Sequence, residues 1–562
     1  MPSPFRCQTL LRCFLLAGIF GCTMASGRDH LVTDYGATGD GVTLNTLPLQ
    51  RAIDQAHAAG GGRVVLPSGR FLTGTIHLRT GVTLHLARGC VLLGSPRLAD
   101  YERGYWPGLV LARGQHAIAI EGEGEIDGQG PEVAADSRRI FHAGRLLDFF
   151  PGLRPGERIF AGSGTGIDLW IDPHAMQAAG TLAARVAPRS RDDVATWRVD
   201  EFVRPQLIEF WECRDVRVED VRLRNAANWV QAYRDCDDVS IRRIRVESTS
   251  YWNNDGLDLA NCRRVRVTDC DINAADDGIC LKTHPAGDSR PCEDITIERC
   301  RIRSSASAVK LGTASHTDFR RIRVEDLEVH DTYRSVVALE SVDGGALEDI
   351  TVRRVKARNT GNAFFLRVGA RVPGRPPGRI RNVVLSDFDV EIPSGRPDTG
   401  YAHAGPPLKI PTNLIPASIV GLPDSVIRQV TLRNMRLTYG GGADRARAEL
   451  PWTNLERIPD LRSDYPEFSM FGELPAWGIF LRHAQGVRME GVALRLAGPD
   501  FRPALVADRI SDLDLSGLRV ESHGEEPVIV LADVTGERVD GLQLPVHAPH
   551  RIVQTASGAV LP

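Results

Sequence analysis

Three aspartates near the middle of the chain combine a residue type and a spacing suited to acid–base chemistry. Asp255 stands 22 residues before Asp277, and Asp276 directly precedes Asp277. Carboxylates brought close together repel one another, which raises the pKa of at least one of them. A protonated carboxyl beside an ionised one is the pair that cleavage of a glycosidic bond needs. A ladder of turn-capping aspartates or a calcium site would use the same residues, and the spacing alone leaves these alternatives open.

A repeated pattern of short alternating segments surrounds the three aspartates. From about residue 207 to 545, a small or polar residue is followed by alternating apolar positions, and helical periodicity is nearly absent. Early units recur every 23 to 30 residues. The alternation of Val, Ile and charged residues favours a β-helix over a leucine-rich repeat. We therefore predict an all-β fold, a right-handed single-stranded parallel β-helix with an N-terminal helical cap and long loop insertions.

Coils of such a β-helix stack about 4.8 Å apart, so equivalent positions form ladders along the axis. Alignment on the inward apolar residues pairs Asp255-Gly256-Leu257 with Asp277-Gly278-Ile279 and brings the carboxylates of neighbouring coils about 5 Å apart. In the same alignment, three more segments share this register: Asn228-Trp229-Val230, Ser307-Ala308-Val309 and Arg334-Ser335-Val336. One position further along, Lys310 aligns with Asp258, Gln231 and Cys280.

Cysteines recur at equivalent offsets and are predicted to form two ladders. The first ladder contains Cys213, Cys236, Cys262 and Cys292, and the second contains Cys270 and Cys300. Stacked cysteines inside a solenoid are typically small buried hydrophobes. Metal ligation or disulfides remain the alternative reading of the same spacing.

The first residues are typical of an export signal. Arg6 and Arg12 precede an apolar run too short to span a bilayer as a stable helix. We expect residues 1–25 to be a signal peptide and the protein to be secreted or periplasmic, with lipidation at Cys22 as the alternative to simple cleavage. The formal net charge of −3 gives no reason to expect a nucleic-acid partner.

The rest of the chain divides into a cap and a long solenoid. We expect residues 29–95 to form the N-terminal cap and first coils, with an amphipathic helix closing the open end of the solenoid. Residues 96–562 would form the β-helix domain, interrupted by loop insertions at 128–205, 391–425 and 440–475. A monomer is expected, without a cofactor or a bound metal, and with no membrane contact beyond a lipid anchor.

Motifs around the aspartates resemble glycoside hydrolase family 28, the polygalacturonases and rhamnogalacturonases. Tyr251-Trp-Asn253-Asn254-Asp255-Gly256 and Asp276-Asp277-Gly278 resemble its Asn-x-Asp and Asp-Asp motifs. Asn225-Ala-Ala-Asn-Trp229 resembles its Asn-x-Pro-x-Trp coil, and Lys282 matches the lysine after the Asp pair. The resemblance covers roughly residues 29–385.

The resemblance implies a role for each residue of the motifs. Asp276 would be the general acid, while Asp255 and Asp277 would orient and deprotonate a water molecule, which gives inversion at the anomeric carbon. Asn253 would position Asp255.

Two motifs of the family are missing. Its Gly-His-Gly motif aligns with Ser305-Ala306-Ser307, so that Ala306 replaces the histidine. Its Arg-x-Lys motif, which holds a galacturonate carboxylate in polygalacturonases, falls near Val337-Ala338-Leu339, and both charges are absent. Hydrolysis is therefore expected on a substrate or subsite different from that of a standard polygalacturonase.

A further set of residues on the same side of the coils is expected to bind substrate. The set consists of Asn253, Lys282, Lys310, Trp229, Gln231 and Arg334. A surface position is the more typical role for His284. The aromatic segment 465–477 could fold over the same groove.

The sequence favours an exported, inverting glycosidase that acts on a pectic or related uronic-acid-containing polysaccharide. The first alternative is a polysaccharide lyase on the same scaffold, which would use the aspartates to hold calcium and a lysine as its base. The second is a non-catalytic carbohydrate-binding β-helix, which the missing His and Arg-x-Lys positions would explain.

Overall fold

The computed structural model describes most of the chain. The described residues are 28–104, 106–150, 159–163, 168–171, 174, 178, 197–199, 204–251, 253–285, 290–397, 415–443, 452–522, 527–546 and 552–555. The predicted signal peptide, residues 1–25, lies outside them. Within them, no helix has the length and apolar character needed to cross a membrane.

The chain winds into a parallel β-helix, which confirms the predicted fold class. Each coil contributes a strand to each of three parallel sheets, and strands pair with their counterparts in the next coil. Along every strand, buried apolar residues alternate with more exposed ones, as in the run Arg263–Thr268. The inward residues form one continuous hydrophobic core along the axis.

The first sheet carries the candidate site. Its short strands are Ile76–His77, Gly108–Arg113, Gln206–Trp211, Gln231–Arg234, Leu257–Ala260, Ile279–Thr283, Val309–Ser315, Ala417–Val420, Ile529–Thr535 and Ile552–Thr555. The second sheet contains Asp29–Leu31, Gly62–Leu66, Val82–Leu86, His116–Glu121, Arg214–Glu219, Asp237–Arg242, Arg263–Thr268 and Cys292–Glu298. The third contains Asp40–Leu44, Gly69–Thr73, Cys90–Gly94, Glu125–Asp127, Arg222–Arg224, Arg245–Ser248, Asp271–Ala274, Arg301–Ser304 and Arg519–Glu521.

Later coils turn without breaking their strands. Six long strands bend from one sheet into the next: Phe319–Ser341, Ala346–Val368, Arg379–Ile392, Ile427–Tyr439, Ile479–Leu496 and Leu505–Asp514. A separate antiparallel sheet within the insertion predicted at 128–205 joins Ile159–Ser163, Asp168–Ile171 and Trp197–Val199.

Two α-helices accompany the solenoid. Thr46–Ala58 buries Leu49, Ala52, Ile53 and Ala56 against the first coils, which agrees with the predicted N-terminal cap helix. Gly130–His142 starts with a proline in its first turn and lies in the predicted insertion 128–205. Single 3-10 turns occur at Val32–Tyr35, Leu98–Asp100, Leu146–Asp148 and Leu455–Arg457.

The cysteine ladders are hydrophobic in character. All eight cysteines of the described residues are buried and none is in a disulfide. The thiols of Cys236 and Cys262 donate to main-chain carbonyl oxygens of their own or the preceding coil. The reading as small buried hydrophobes is therefore the correct one for these residues.

The predicted register needs two corrections. Leu257 pairs with Ile279 and Val309 with Ile279, as expected. However, Asp258 pairs with Ala232 instead of Gln231, and Val309 pairs with Val337 instead of Val336. In the coil before the aspartates and in the coil after them, the segment that leads into the strand of the first sheet is one residue longer than the alignment assumed. A shift of one residue moves a side chain to the opposite face of a strand.

Candidate active site

Three carboxylates converge where strands of the first sheet begin. Asp255 lies just before the strand Leu257–Ala260, and Asp276 and Asp277 lie just before Ile279–Thr283 on the next coil. One oxygen of each carboxylate lies within 4.8 Å of one oxygen of the other two. The stacking predicted from their spacing is therefore observed.

Two buried lysines approach two of the three carboxylates. Lys282 Nζ is 3.3 Å from Asp255 Oδ2 and also donates to Asp258 Oδ1. Lys310 Nζ is 3.8 Å from Asp277 Oδ2. Within the described part of the chain, no cationic nitrogen lies within 4.0 Å of Asp276, so this carboxyl differs from its neighbours in lacking an ion pair.

Burial and mutual repulsion raise the pKa values of Asp255, Asp258 and Asp276. Burial, followed by the charge of Asp277, raises the pKa of Asp276. Burial and the carboxylates of Asp258, Asp276 and Asp277 raise the pKa of Asp255, while Lys282 opposes the rise. Burial raises the pKa of Asp258 to about 6 against the same lysine. The groups titrate together, so the protons belong to the cluster as a whole.

The lysines stay charged despite their burial. Burial disfavours the ammonium of Lys282, but Asp258 and Asp255 outweigh that cost, and its pKa lies well above the usual value. The pKa of Lys310 is likewise raised, because Asp277 and Glu340 outweigh its burial. Two fixed positive charges therefore face a cluster of four acidic groups.

Main-chain and amide contacts fix the aspartate-bearing turns. The Ser307 amide donates to Asp277 Oδ1 at 2.9 Å, and the Asp277 amide donates to Asp276 Oδ1 at 2.9 Å. The Asn254 side chain, which is fully buried, donates to the carbonyl oxygens of Ala226 and Asn228 at 2.9 and 3.0 Å. Asn254 therefore joins two coils directly before Asp255.

Asn253 occupies the neighbouring position with a different contact. Its Oδ1 accepts a hydrogen bond of 2.6 Å from the guanidinium of Arg204, a fully buried arginine. Its backbone is left-handed, with φ of 54°, a conformation that asparagine tolerates. Asn253 lines the cleft, and its part in positioning Asp255 remains a prediction.

A cleft of about 620 Å³ opens over the aspartates. Besides the three aspartates it is lined by Trp106, Trp211, Trp229, Arg234, Asp235, Asn253, Lys282, His284, Pro285, Thr313, Ala314 and Tyr465. Its volume and its mixture of aromatic and charged walls are typical of a small-molecule or sugar site.

Tryptophans and an arginine form the wall on the N-terminal side of the cleft. The rings of Trp106 and Trp229 lie 5.0 Å apart between centroids. The guanidinium carbon of Arg234 is 4.2 Å from the Trp106 centroid and 5.0 Å from that of Trp229. Lys282 Nζ lies 3.7 Å from the Trp229 centroid, so Trp229 connects this wall to the acidic cluster.

Acidic groups dominate the C-terminal side. Arg334 forms an ion pair of 2.5 Å with Glu467, and Lys310 lies 3.9 Å from Glu340 and 4.0 Å from Glu467. Burial raises the pKa of Glu340 to about 8, and Glu467 and Asp277 add to the rise. Arg334 and Lys310 therefore each already face a carboxylate.

The segment predicted to fold over the groove reaches this side of the cleft. Tyr465 lines the cleft and is 53% exposed. Glu467 contacts Arg334 and Lys310. The insertion predicted at 440–475 therefore contributes Tyr465 and Glu467 to the site, although part of it, residues 444–451, lies outside the described residues.

The prediction that Gln231 binds substrate is wrong. Gln231 pairs with Ile208 in the first sheet and is fully buried. Its Oε1 accepts a hydrogen bond from the Tyr233 hydroxyl, and its Nε2 donates to the Gly256 carbonyl. The corrected register places Gln231 on the inward face, where no ligand reaches it.

The positions aligned with the missing Arg-x-Lys charges also change face. Val337 and Leu339 are fully buried members of the core, so the outward residues of that strand segment are Ala338 and Glu340. Ala306, which replaces the family histidine, is buried, and its amide donates to Ser304 Oγ at 2.9 Å. The part of the chain described here thus offers a carboxylate where the motif would present a cation.

His284 lies in the cleft, whereas Trp252 is not among the described residues. His284 is partly buried in the cleft, and burial, with Arg234 and Lys282 nearby, lowers its pKa to about 3. It is therefore neutral at ordinary pH, and its placement differs from the surface position expected. Trp252, adjacent to the Asn-x-Asp motif, lies outside the described residues.

Two groups of side chains have the donors and the spacing to hold a metal ion. They are Asp255, Asp276 and Asp277, and Asp255, Asp258 and Cys280. Carboxylate oxygens suit hard cations, but the ammonium of Lys282 already lies beside Asp255 and Asp258. The expectation of a metal-free site remains a prediction.

Sequence reasoning missed Arg234, Trp106, Trp211 and Glu467. Arg234 could have been found from the register, since it pairs with Ala260 and through it with Lys282 on the next coil. Trp106 and Glu467 lie on segments outside the regular repeat, where no ladder predicts a neighbour.

Parts of the chain are similar to known protein families and to individual proteins. A profile of glycosyl hydrolases family 28 matches residues 174–336, and a profile described as rhamnogalacturonase A/epimerase, pectate lyase-like, matches residues 31–96. The exo-poly-α-D-galacturonosidase of Dickeya chrysanthemi is 24% identical over 451 residues, which are 72% of this chain and 71% of that protein.

Two further relatives cover large parts of the chain. A probable polygalacturonase of Vitis vinifera is 25% identical over 354 residues, or 60% of this chain and 62% of its own length, so that less than two thirds of the grape protein is matched. The crystal structure of a hyperthermoactive exopolygalacturonase from Thermotoga maritima superposes with a TM-score of 0.56 at 21% identity, over 83% of this chain and 91% of that one. This last likeness shows the β-helical fold.

Proposed function

We infer that the protein hydrolyses glycosidic bonds in a pectic or related uronic-acid-containing polysaccharide. The basis of this inference is that the chain belongs to glycosyl hydrolases family 28 and is a glycosidase. The names of the two sequence relatives, a galacturonosidase and a probable polygalacturonase, support a pectic substrate. The aromatic and cationic wall of the cleft supports a sugar that carries acidic groups.

The ion pairing of the aspartates carries the assignment of roles. Asp276 alone of the three has no cation within 4.0 Å in the described structure, while Lys282 approaches Asp255 and Lys310 approaches Asp277. A neighbouring positive charge favours the ionised carboxylate, and burial without one favours the protonated acid. Burial and repulsion raise the pKa of Asp255 as well, so the ion pairs support, together with the family resemblance, the proposal that Asp276 protonates the leaving oxygen while Asp255 and Asp277 activate water.

The spacing of the cluster suits a water held between carboxylates. Two oxygens within 4.8 Å of each other can both accept hydrogen bonds of about 2.7 Å from a single water molecule. Inverting glycosidases usually separate their two carboxyl groups by roughly 6.5–9.5 Å, which is wider than the oxygen spacing here. Inversion is proposed from the family resemblance, and the stereochemistry of the product tests it separately.

Replacement of Asp276 by Asn tests the proposed acid. Asp276→Asn should lower release of reducing ends from a panel of pectic polysaccharides by at least about 100-fold, the usual range for a general acid, with the folded state unchanged by circular dichroism. Asp271→Asn, on a strand of the third sheet, is the matched control and should retain activity. Full activity of Asp276→Asn would contradict the assignment.

The same digest separates the other interpretations. Proton NMR of the first product gives the anomeric configuration, and retention would refute inversion. Products that absorb in the ultraviolet and form only with calcium would indicate a lyase. Absence of turnover on every pectic polysaccharide, with sugar affinity retained, would indicate a binding protein.

Export is proposed from the N-terminal sequence. Arg6, Arg12 and the apolar run that follows support cleavage near residue 25, and Cys22 supports lipidation as the alternative. Expression of the full chain, fractionation of the cells and mass spectrometry of the recovered N-terminus distinguish the two. Recovery of uncleaved protein in the cytoplasm alone would contradict export.

A further inference from the structure

The wall of the cleft on its N-terminal side contains a buried donor without a partner. Arg234 is 4% exposed, and its Nε donates to Glu209 Oε1 at 2.7 Å. One terminal nitrogen of the guanidinium faces His284 Nε2 at 3.3 Å, while the other, NH2, is buried and makes no hydrogen bond in the described structure. Buried donors are nearly always paired. Among the described residues, Glu209 Oε2 beside this arginine also makes no hydrogen bond, so the NH2 group of Arg234 is open to an acceptor supplied either by Glu209 or by a ligand in the cleft.

The surroundings of Arg234 hold the guanidinium in place. Trp106 and Trp229 lie against it at 4.2 and 5.0 Å, and Trp211 is 5.7 Å away. Glu209, which is almost fully buried, fixes the inner edge of the group. An arginine ordered by stacking and by one ion pair loses little conformational freedom when a second acceptor binds.

The other cations of the cleft each face carboxylates, and Lys310 Nζ, which also makes no hydrogen bond within the described residues, has three of them within 4.0 Å. Lys282 is shared between Asp255 and Asp258, and Arg334 is paired with Glu467. A new anion would compete with a bonded carboxylate at either of these groups, whereas at Arg234 it would meet an unused N–H. Arg234 is therefore the most available cationic donor among the described residues that line the cleft.

We propose that Arg234 binds the carboxylate of a uronic acid unit of the substrate, at a subsite walled by tryptophans on the N-terminal side of the acidic cluster. Arg234 and Lys282 are two rungs apart on the first sheet, through Ala260, or about 9.6 Å along the axis. The carboxylate is thus held beside the scissile bond and away from Asp255, Asp276 and Asp277. Sugar rings of this subsite pack against the indoles.

The subsite deepens the proposed function and depends on it for the identity of the sugar. The subsite places recognition of the acidic unit on the N-terminal side of the cleft. The family motif would bind that unit on the C-terminal side, where Ala338 and Glu340 face outward in this chain. A carboxylate on the substrate would be repelled by Glu467 and attracted by Arg234. The enzyme should therefore require a uronate on one side of the cleaved bond only.

Matched substrates test the subsite. An oligogalacturonide and its carboxyl-reduced neutral analogue share linkage and length, and wild-type enzyme should favour the acidic one. Arg234→Gln should raise KM for the acidic substrate by roughly 10- to 100-fold, the usual loss for a charge-assisted hydrogen bond, with little change for the neutral one. Arg234→Lys, which keeps the charge, should fall between the two. Equal loss on both substrates would show a structural role and overturn the proposal.

A second variant controls for folding. Arg234→Gln leaves Glu209 buried without its partner, so Glu209→Gln is combined with it to remove the uncompensated charge. If the double variant is folded and still discriminates between the two substrates as the wild type does, Arg234 does not bind the carboxylate.

Binding without turnover separates this proposal from the proposed function. Galacturonate oligosaccharide is titrated calorimetrically into Asp276→Asn and into the same variant carrying Arg234→Gln. Weaker binding in the second, even if wild-type enzyme cleaves no pectic polymer, supports the subsite while refuting the activity. Equal binding in both refutes the subsite whatever the activity.

Discussion

Glu340 should make the protein less stable as the pH rises, and Glu340→Gln should remove that effect. Glu340 is fully buried, and neither of its carboxyl oxygens has a hydrogen-bond partner within the described residues. Burial raises its pKa from 4.5 to about 8 in spite of Lys310 at 3.9 Å. Near pH 7 the group is therefore mostly protonated in the folded protein and ionised in the unfolded chain.

The sign and size of the effect follow from this difference. An acid whose pKa is higher in the folded state adds no penalty below its unfolded pKa, and the penalty grows until the pH passes the folded pKa. Each pH unit between the two values corresponds to about 1.4 kcal/mol. The wild-type free energy of unfolding should thus fall by about 4 kcal/mol between pH 4.5 and pH 8.5 through this group alone.

Urea unfolding at pH 5 and pH 8.5 measures the effect. Glu340→Gln resembles the protonated side chain, so it should match the wild type at pH 5 and exceed its stability by about 3–4 kcal/mol at pH 8.5. Glu328→Gln, at an exposed position with a side-chain exposure of 68%, is the control and should show no gap that depends on pH. A Glu340→Gln gap of the same size at both pH values would refute the reasoning.

Further predictions concern the lysine, the amide and the thiols. Lys282→Met should abolish turnover and lower the free energy of unfolding at pH 7 by about 3–5 kcal/mol, because Asp255 and Asp258 lose a buried partner; unchanged stability in urea would contradict this. Asn254→Ala should cost about 2–4 kcal/mol in the same assay, because two buried carbonyls lose their donor, and a cost below 1 kcal/mol would contradict it. The eight cysteines beyond residue 27 should resist alkylation until the protein unfolds, as peptide mass mapping would show, and rapid labelling of the native protein would contradict the buried ladders.

The fold could be predicted because its causes are local and repeated. Alternation with period two, a repeat of 23 to 30 residues and recurring cysteines all require the same stacked coils. The pairing of Asp255 with Asp277 followed from two identical Asp-Gly-apolar units, which fixed the register between neighbouring coils. Where the units were alike, counting along the chain was sufficient.

Where the units differ, counting failed by one residue. The coil that leads to Gln231 and the one that leads to Val337 carry an additional residue before the first sheet. A slip of one residue exchanges the inner and outer faces of a strand, so Gln231 was assigned to the cleft and Arg234 was overlooked. The contribution of Trp106 could not be predicted, because it lies on a loop whose path depends on tertiary contacts, and for the segment 465–477 only its general position over the groove could be predicted.

The corrected register changes what the missing Arg-x-Lys motif means. In the predicted alignment, Val337 and Leu339 replaced the two charged residues of the motif in an otherwise standard site. In the structure these residues belong to the core, and the outward residue Glu340 faces Lys310, which already faces Asp277. The cations on that side, Lys310 and Arg334, already face carboxylates, while Arg234 on the other side still has an unused donor. The charge pattern therefore favours relocated recognition of the acidic sugar over loss of activity.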